Sequence, residues 1–218
     1  MTIEPEIVHG EIERLRERYK GIPLEPVIWE RDGQKRSPYR ALIVMGLSTR
    51  ISDERGLDVW KELLDKYPSP DDLKQGWQKD GQRVRKILHP LGDSAQRERI
   101  IKAAVKFGTE IPSEVDQLIT HPGIGPTIAE KIVGYGFGKP ALPLDSHGCQ
   151  IIARVCGLNG SLSKDHRYLR GKLKDILDPS EWMEVHELLR LHGQSSGSTP
   201  ETVINSWEKW RALLVEDY

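Results

Sequence analysis

The stretch LITHPGIGPTIAEKIVGYGFGKPALPLDSHGCQIIARV, residues 118–155, decides how the rest of the chain reads. It places Gly123-Ile124-Gly125 before a helical pattern that opens at Pro126, and Asp145 before a second one. The aspartate follows the last of these glycines by 20 residues (145 − 125). Alternate glycines permit a tight turn and leave successive backbone N–H groups facing outward, and the next helix adds the positive end of its dipole. Such a turn grips a phosphate without reading base sequence. On its own the pattern is weak, because most Gly-x-Gly turns before a helix only reverse the chain. Asp145 ahead of Ser146-His147 has the form of a helix N-cap.

Outward from this stretch, helical periodicity dominates. Glu11–Tyr19 reads as a polar helix stopped by Gly21 and Pro23, and Tyr39–Leu47 as a strongly apolar one with Ser37-Pro38 as cap and first residue. Asp53–Tyr67 carries Leu57, Trp60, Leu63 and Leu64 on one face. Ser69-Pro70-Asp71-Asp72 reads as a cap for Leu73–Trp77. Further helices fit 84–88, 94–107, 113–119, 126–135, 146–155, 165–177, 181–191 and 200–215, with short breaks rich in Gly and Pro. No segment has the alternation of a hairpin, and only Gln194–Thr199 reads as a flexible loop. The expected fold class is all-α.

The 218 residues suffice for one globular unit or two small ones sharing a cleft. Lys and Arg total 32 against 33 Asp and Glu, so net charge gives no sign of a nucleic-acid partner. The charge is uneven, however. Arg83, Arg85, Lys86, Arg97, Arg99, Lys102 and Lys106 face only Asp93 and Glu98 between residues 81 and 106. Lys164, Arg167, Arg170, Lys172 and Lys174 face only Asp165. Each cluster is either a solvated helix face or a stripe that contacts phosphates. No apolar run has the roughly 18 residues of a membrane span, and the first residues do not form a signal peptide. An intracellular location is expected.

The order Gly123-Ile124-Gly125, apolar helix, Gly136-Phe137-Gly138-Lys139-Pro140, then Leu144-Asp145-Ser146-His147 resembles the helix-hairpin-helix DNA glycosylases of the endonuclease III superfamily. Upstream, Ser37–Ile43, Leu47-Ser48-Thr49-Arg50-Ile51-Ser52-Asp53 and Leu88–Gly92 fit that family's earlier helices in order. Downstream, Leu191-His192-Gly193 fits the helix before its iron–sulfur loop. The resemblance covers residues 37–193. It implies two helical domains with DNA across the cleft between them: residues 37–143, with the hairpin near 113–135, and residues 1–36 plus 144–218. It also implies extrusion of the target nucleotide into that cleft, and it favours a DNA-contacting role for the basic clusters.

The resemblance assigns roles. Asp145 matches the catalytic aspartate, which would stabilise a sugar cation or orient water. Gly123, Ile124 and Gly125 would bind a backbone phosphate, with Thr127 beside them. Ser48, Thr49 and Arg50 fit the loop that fills the gap left by the extruded base, Arg50 stacking and donating to the orphaned partner; its alternative is an ion pair with Asp53 or Glu54. His147 would hold the local turn or contact DNA. Thr127 is the departure: strand-cleaving members place a lysine there, whose amine attacks the sugar, and threonine cannot form that imine. Lys131, one helical turn on, is read as structural.

No metal is expected. Many relatives bind a [4Fe–4S] cluster through four cysteines, whereas this sequence has Cys149 and Cys156 alone, and His186 and His192 lack zinc-site spacing. Residues 194–218 stand in place of the cluster loop, with Trp207 and Trp210 on a helix. These features are partly similar to the mismatch-specific thymine and uracil glycosylases. The expectation is therefore a monofunctional, monomeric, cofactor-free glycosylase of base excision repair, acting on double-stranded DNA with a damaged or mispaired base in the cytoplasm or nucleoid of a prokaryote. Uracil or thymine opposite guanine is the expected substrate. The alternatives are adenine mispairs, oxidised or alkylated bases, a lyase using Lys131, or a catalytically silent DNA-binding protein.

Overall fold

The computed structural model describes residues 3–22, 24, 35–49, 51–92, 94–159, 165–195 and 200–216. The helices are α1 (Pro5–Arg18), α2 (Pro38–Leu47), α3 (Asp53–Lys66), α4 (Pro70–Leu88), α5 (Ser94–Phe107) and the single-turn α6 (Val115–Leu118). They continue with α7 (Pro126–Lys131), α8 (Ser146–Val155), α9 (His166–Ile176), α10 (Trp182–Gln194) and α11 (Pro200–Arg211). Among the described residues the chain is all-α except for one antiparallel ladder of two-residue strands, β1 (Lys35–Arg36) and β2 (Val215–Glu216).

The chain divides into two units, Met1–Gly33 with Pro140–Ile204, and Gln34–Lys139 with Asn205–Tyr218. The second, the hairpin unit, is built round α2. Ala41, Leu42, Ile43, Val44 and Leu47 are fully buried, as expected of a helix that is apolar all round. Ser37 caps it by accepting from the Arg40 N–H. Glycines set how near its neighbours come. A Cβ on Gly46 would lie 2.7 Å from the Ile100 side chain of α5. One on Gly136 would lie 2.9 Å from Ala41 Cβ and 3.0 Å from Pro38 Cα. That second contact seats the π-helical turn Ile132–Gly136, into which α7 runs directly.

Residues 73–77 and 84–88, read as two helices, are separated within α4 by a kink at Asp80 (φ −155°, ψ 76°), whose Oδ1 accepts from the Arg83 N–H and starts the second helix. One expectation needs correction here. Residues 205–218 belong to the hairpin unit and not with 144–204. There Lys35 and Arg36 pair with Glu216 and Val215, Ser37 N–H donates to the Leu214 carbonyl, and Trp207 is fully buried. The Arg211 guanidinium lies 5.0 Å from the centre of the Trp207 ring. The side chain of Trp210 lies outside the described residues.

In the other unit, α1, α8, α9 and α10 share a core of Val8, Ile12, Leu15, Ile152, Leu169, Leu173, Val185 and Leu189. Arg16 locks α1 to the start of α10 by hydrogen-bonding Glu184 and Glu181 as well as Glu13 on its own helix. Those carboxylates raise its pKa well above the usual guanidinium value.

Candidate active site and nucleic-acid interface

The hairpin turn forms as its residue types require. Gly123 has φ +96°, a left-handed conformation that side chains rarely adopt, and a Cβ there would lie 2.7 Å from Arg99 Cβ. Ile124 is buried and anchors the turn, while Gly125 is exposed with open space where a Cβ would stand. Gly125 is the N-cap of α7, Pro126 opens the helix and Thr127 follows half-buried in its first turn. Lys131 ends α7 one turn further on, also half-buried.

The loop after α2 lies in the same unit. Ser48 and Thr49 are half-buried, and Ser48 Oγ donates to the Met45 carbonyl at 2.9 Å. Arg50 lies outside the described residues, as do the side chains of Asp53 and Glu54 with which an ion pair was considered.

In the other unit Asp145 stands at the N-terminus of α8 with φ −92° and ψ −175°. Its Oδ1 accepts from the N–H groups of His147 and Gly148, both at 3.0 Å. Both bonds hold the carboxylate in one orientation beside the positive end of the helix. Arg170 Nη2 donates to the carbonyl of Leu144 at 3.4 Å, and a Cβ on Gly148 would lie 2.8 Å from Leu144. The segment entering the aspartate is thereby fixed on both sides. Ser146 and His147 are exposed, and the His147 ring backs onto Gly193 of α10, where a Cβ would come within 2.5 Å of His147 Cβ. The residue before Gly193, His192, accepts from or donates to the Tyr19 hydroxyl through Nδ1 at 2.8 Å.

The basic clusters are partly committed within the fold. Arg97 is only 2 % exposed and contributes no surface charge. Arg85 and Lys102 both pair with Glu98, at 2.9 and 2.7 Å, and hold its carboxyl down at about 2. Arg83, Lys86, Arg99 and Lys106 are exposed. In the second cluster Lys164 lies outside the described residues, Arg167 is exposed, and Lys174 sits 4.7 Å from the centre of the Trp182 ring.

Reasoning from sequence passed over Gln96 and Arg97 as individual residues. Gln96 Nε2 donates to the Gly123 carbonyl at 2.7 Å, and Arg97 Nη2 donates to the Thr49 carbonyl at 2.5 Å. A signal was available: Arg97 shares the apolar stripe of Ile100, Ile101 and Ala104, where an arginine must be buried.

An iron–sulfur cluster does not fit the residues present. Four thiolates are needed and the sequence supplies two. Cys149 is buried, and burial pushes its thiol up to about 12, away from the thiolate a metal requires. Among the described residues no group of three or more His, Cys, Asp or Glu could hold a metal ion, and no helix is long and apolar enough to cross a membrane.

No family model matches the chain. It is 27% identical over 143 residues to a thymine/uracil-DNA glycosylase of Pyrobaculum aerophilum, covering 63% of this chain and 60% of that protein. It is 30% identical over 130 residues to endonuclease III of Thermotoga maritima, covering 57% and 60%. A thymine-DNA glycosylase of Aeropyrum pernix is 25% identical over 189 residues, covering 83% and 78%. The chain thus spans about 60% of the first two of these relatives. Among solved structures, an endonuclease III in a non-covalent DNA complex superposes with a TM-score of 0.73 at 21% identity, over 92% of this chain and 91% of that one. That likeness speaks for the fold. These relatives and the ordered motifs of residues 37–193 support a DNA glycosylase of the helix-hairpin-helix superfamily, similar to endonuclease III and thymine-DNA glycosylase.

Proposed function

We propose that the chain is a monofunctional DNA glycosylase of base excision repair, which hydrolyses the N-glycosidic bond of an extruded damaged or mispaired base and leaves the abasic site intact. The observation that carries this reading is Asp145, whose carboxylate is oriented by two backbone N–H groups at a helix start. As the glycosidic bond breaks, its electron pair leaves with the base and positive charge develops on the deoxyribose. A fixed carboxylate stabilises that charge and orients a water molecule, whose oxygen bonds to the anomeric carbon while its proton passes to the carboxylate. Gly123, Ile124 and Gly125 would present backbone N–H groups to a phosphate. Ser48, Thr49 and Arg50 would enter the gap in the duplex, and His147 would border the site from the first turn of α8. Thr127 would line the pocket or hold water, having no amine with which to form an imine.

Uracil or thymine opposite guanine is the proposed substrate. The Pyrobaculum and Aeropyrum relatives, which are named for those bases, support it. The proposed enzyme acts as a monomer on duplex DNA of the nucleoid, without metal or cluster. The two cysteines support the cofactor-free reading.

The test uses end-labelled duplexes carrying uracil:guanine, thymine:guanine, adenine:8-oxoguanine, 8-oxoguanine:cytosine or hypoxanthine:thymine, each stopped with and without hot alkali. Cleavage of the first two, only after alkali, is expected. Breaks without alkali would overturn the monofunctional reading and direct attention to Lys131. Binding with no excision from any duplex would favour a silent DNA-binding protein.

A further inference from the structure

The N-terminal half of α5 lies between two segments that the proposed function sends to DNA. Neighbouring residues on a helix point about 100° apart, whereas residues three apart share a face. Gln96 and Arg99 form one face against the hairpin turn. Gln96 Nε2 donates to the Gly123 carbonyl at 2.7 Å, and Arg99 Cβ occupies the space a side chain on Gly123 would need. Arg97 and Ile100 form the next face against the end of α2. Ile100 fills the notch at Gly46, and Arg97 Nη2 donates to the Thr49 carbonyl at 2.5 Å. An arginine only 2 % exposed is costly to bury unless hydrogen bonds and favourable charge offset its lost hydration. Here one of them goes to a backbone carbonyl just beyond a helix C-terminus, where the dipole favours a cation.

We propose that Gln96 and Arg97 are positioning residues that hold the Ser48-Thr49 loop in fixed register with the Gly123–Gly125 turn. Resting on the glycosylase reading, this assigns separate duties. Arg97 serves entry of the loop into the duplex, hence extrusion of the base. Gln96 serves the grip on the phosphate. Neither touches DNA.

Variants Arg97→Met, Arg97→Lys and Gln96→Met separate these duties. Methionine keeps most of the arginine stem in the apolar stripe, and lysine keeps one donor on a similar stem. Two duplexes are compared: thymine:guanine with 2-aminopurine beside the thymine, whose fluorescence rises on extrusion, and one holding a tetrahydrofuran abasic analogue, which has no base to extrude. Arg97→Met is expected to slow the fluorescence rise by about tenfold or more while changing the affinity for the abasic duplex less than about threefold. Arg97→Lys should recover part of the lost rate. Gln96→Met should weaken affinity for both duplexes alike, by about threefold to tenfold. Melting temperatures within a few degrees of the parent confirm that each variant folds.

Equal losses on both duplexes for Arg97→Met, or no recovery with lysine, would overturn the positioning role and leave a purely structural arginine. An unchanged extrusion rate in a folded Arg97→Met would also overturn it. A parent protein that binds neither duplex would remove the glycosylase reading and this inference with it, an outcome distinct from a parent that extrudes thymine normally alongside an equally competent variant.

Discussion

At the scale of single residues, the account turns on one amine that is missing. Thr127 stands in the first turn of α7, two residues after the hairpin glycine Gly125. A strand-cleaving mechanism needs a primary amine on the sugar carbon, and a hydroxyl cannot form the imine. Thr127→Lys is therefore expected to yield a covalent protein–DNA complex on borohydride reduction, whereas the parent yields none. Lys131→Gln should leave excision unchanged within about twofold. A trapped complex with the parent that disappears in Lys131→Gln would show that the nucleophile sits one turn along. Much at this scale was legible in sequence. The caps at Ser37, Ser69 and Asp145 all form, because a short polar side chain before a helix has few better partners than the free N–H groups there. Arg97 was not legible as a buried residue while it was read as one of seven neighbouring cations; only its helical register with Ile100 and Ile101 reveals its side.

At the scale of elements, backbone-to-backbone proximity sets the geometry of the hairpin unit. A methyl on Gly136 would meet Pro38 Cα and Ala41 Cβ, neither of which can swing aside. Gly136→Ala is thus expected to destabilise by about 1–3 kcal/mol through overpacking, seen as a fall in melting temperature of about 2–4 °C per kcal/mol. Gly125→Ala meets nothing within 4 Å and should change stability little, yet weaken duplex binding by crowding the phosphate. Equal melting temperatures for Gly136→Ala and the parent would refute the packing argument.

The union of α4 and α5 through Glu98 has a pH signature. Arg85 and Lys102 hold its folded-state pKa near 2, below the ordinary value of 4.5. Its contribution is therefore complete above pH 4.5 and lost as pH falls through about 2. Glu98→Gln should melt slightly below the parent at neutral pH, the gap closing towards pH 2; a gap that widens in acid would contradict it. Element types and most boundaries were readable from periodicity and caps. The break of α4 at Asp80 was readable too, since residues 73–77 and 84–88 read as two helices.

At the scale of the whole molecule, near-zero net charge conceals local asymmetry, and two of the basic residues that suggested a DNA face make contacts within the fold, Arg85 with Glu98 of the next helix and Arg97 with the Thr49 carbonyl. Arg83, Lys86, Arg99 and Lys106 are exposed in the hairpin unit. Duplex affinity should fall steeply with salt, and replacing Arg99 by Gln should reduce the slope of log K against log salt by about one if it contacts a phosphate. An unchanged slope would assign Arg99 to the solvated surface. The return of residues 205–218 to the hairpin unit was not legible in sequence. Pairing of two-residue strands separated by some 180 positions leaves no local pattern to read.

The most direct test of the central claim is single-turnover excision of thymine or uracil opposite guanine by Asp145→Asn beside the parent protein. Asparagine caps a helix about as well as aspartate, so folding and duplex affinity should persist while charge stabilisation is lost. The account predicts a melting temperature near the parent's, similar binding and an excision rate lower by about 10²-fold or more. Excision by a folded, DNA-binding Asp145→Asn at the parent's rate would contradict it.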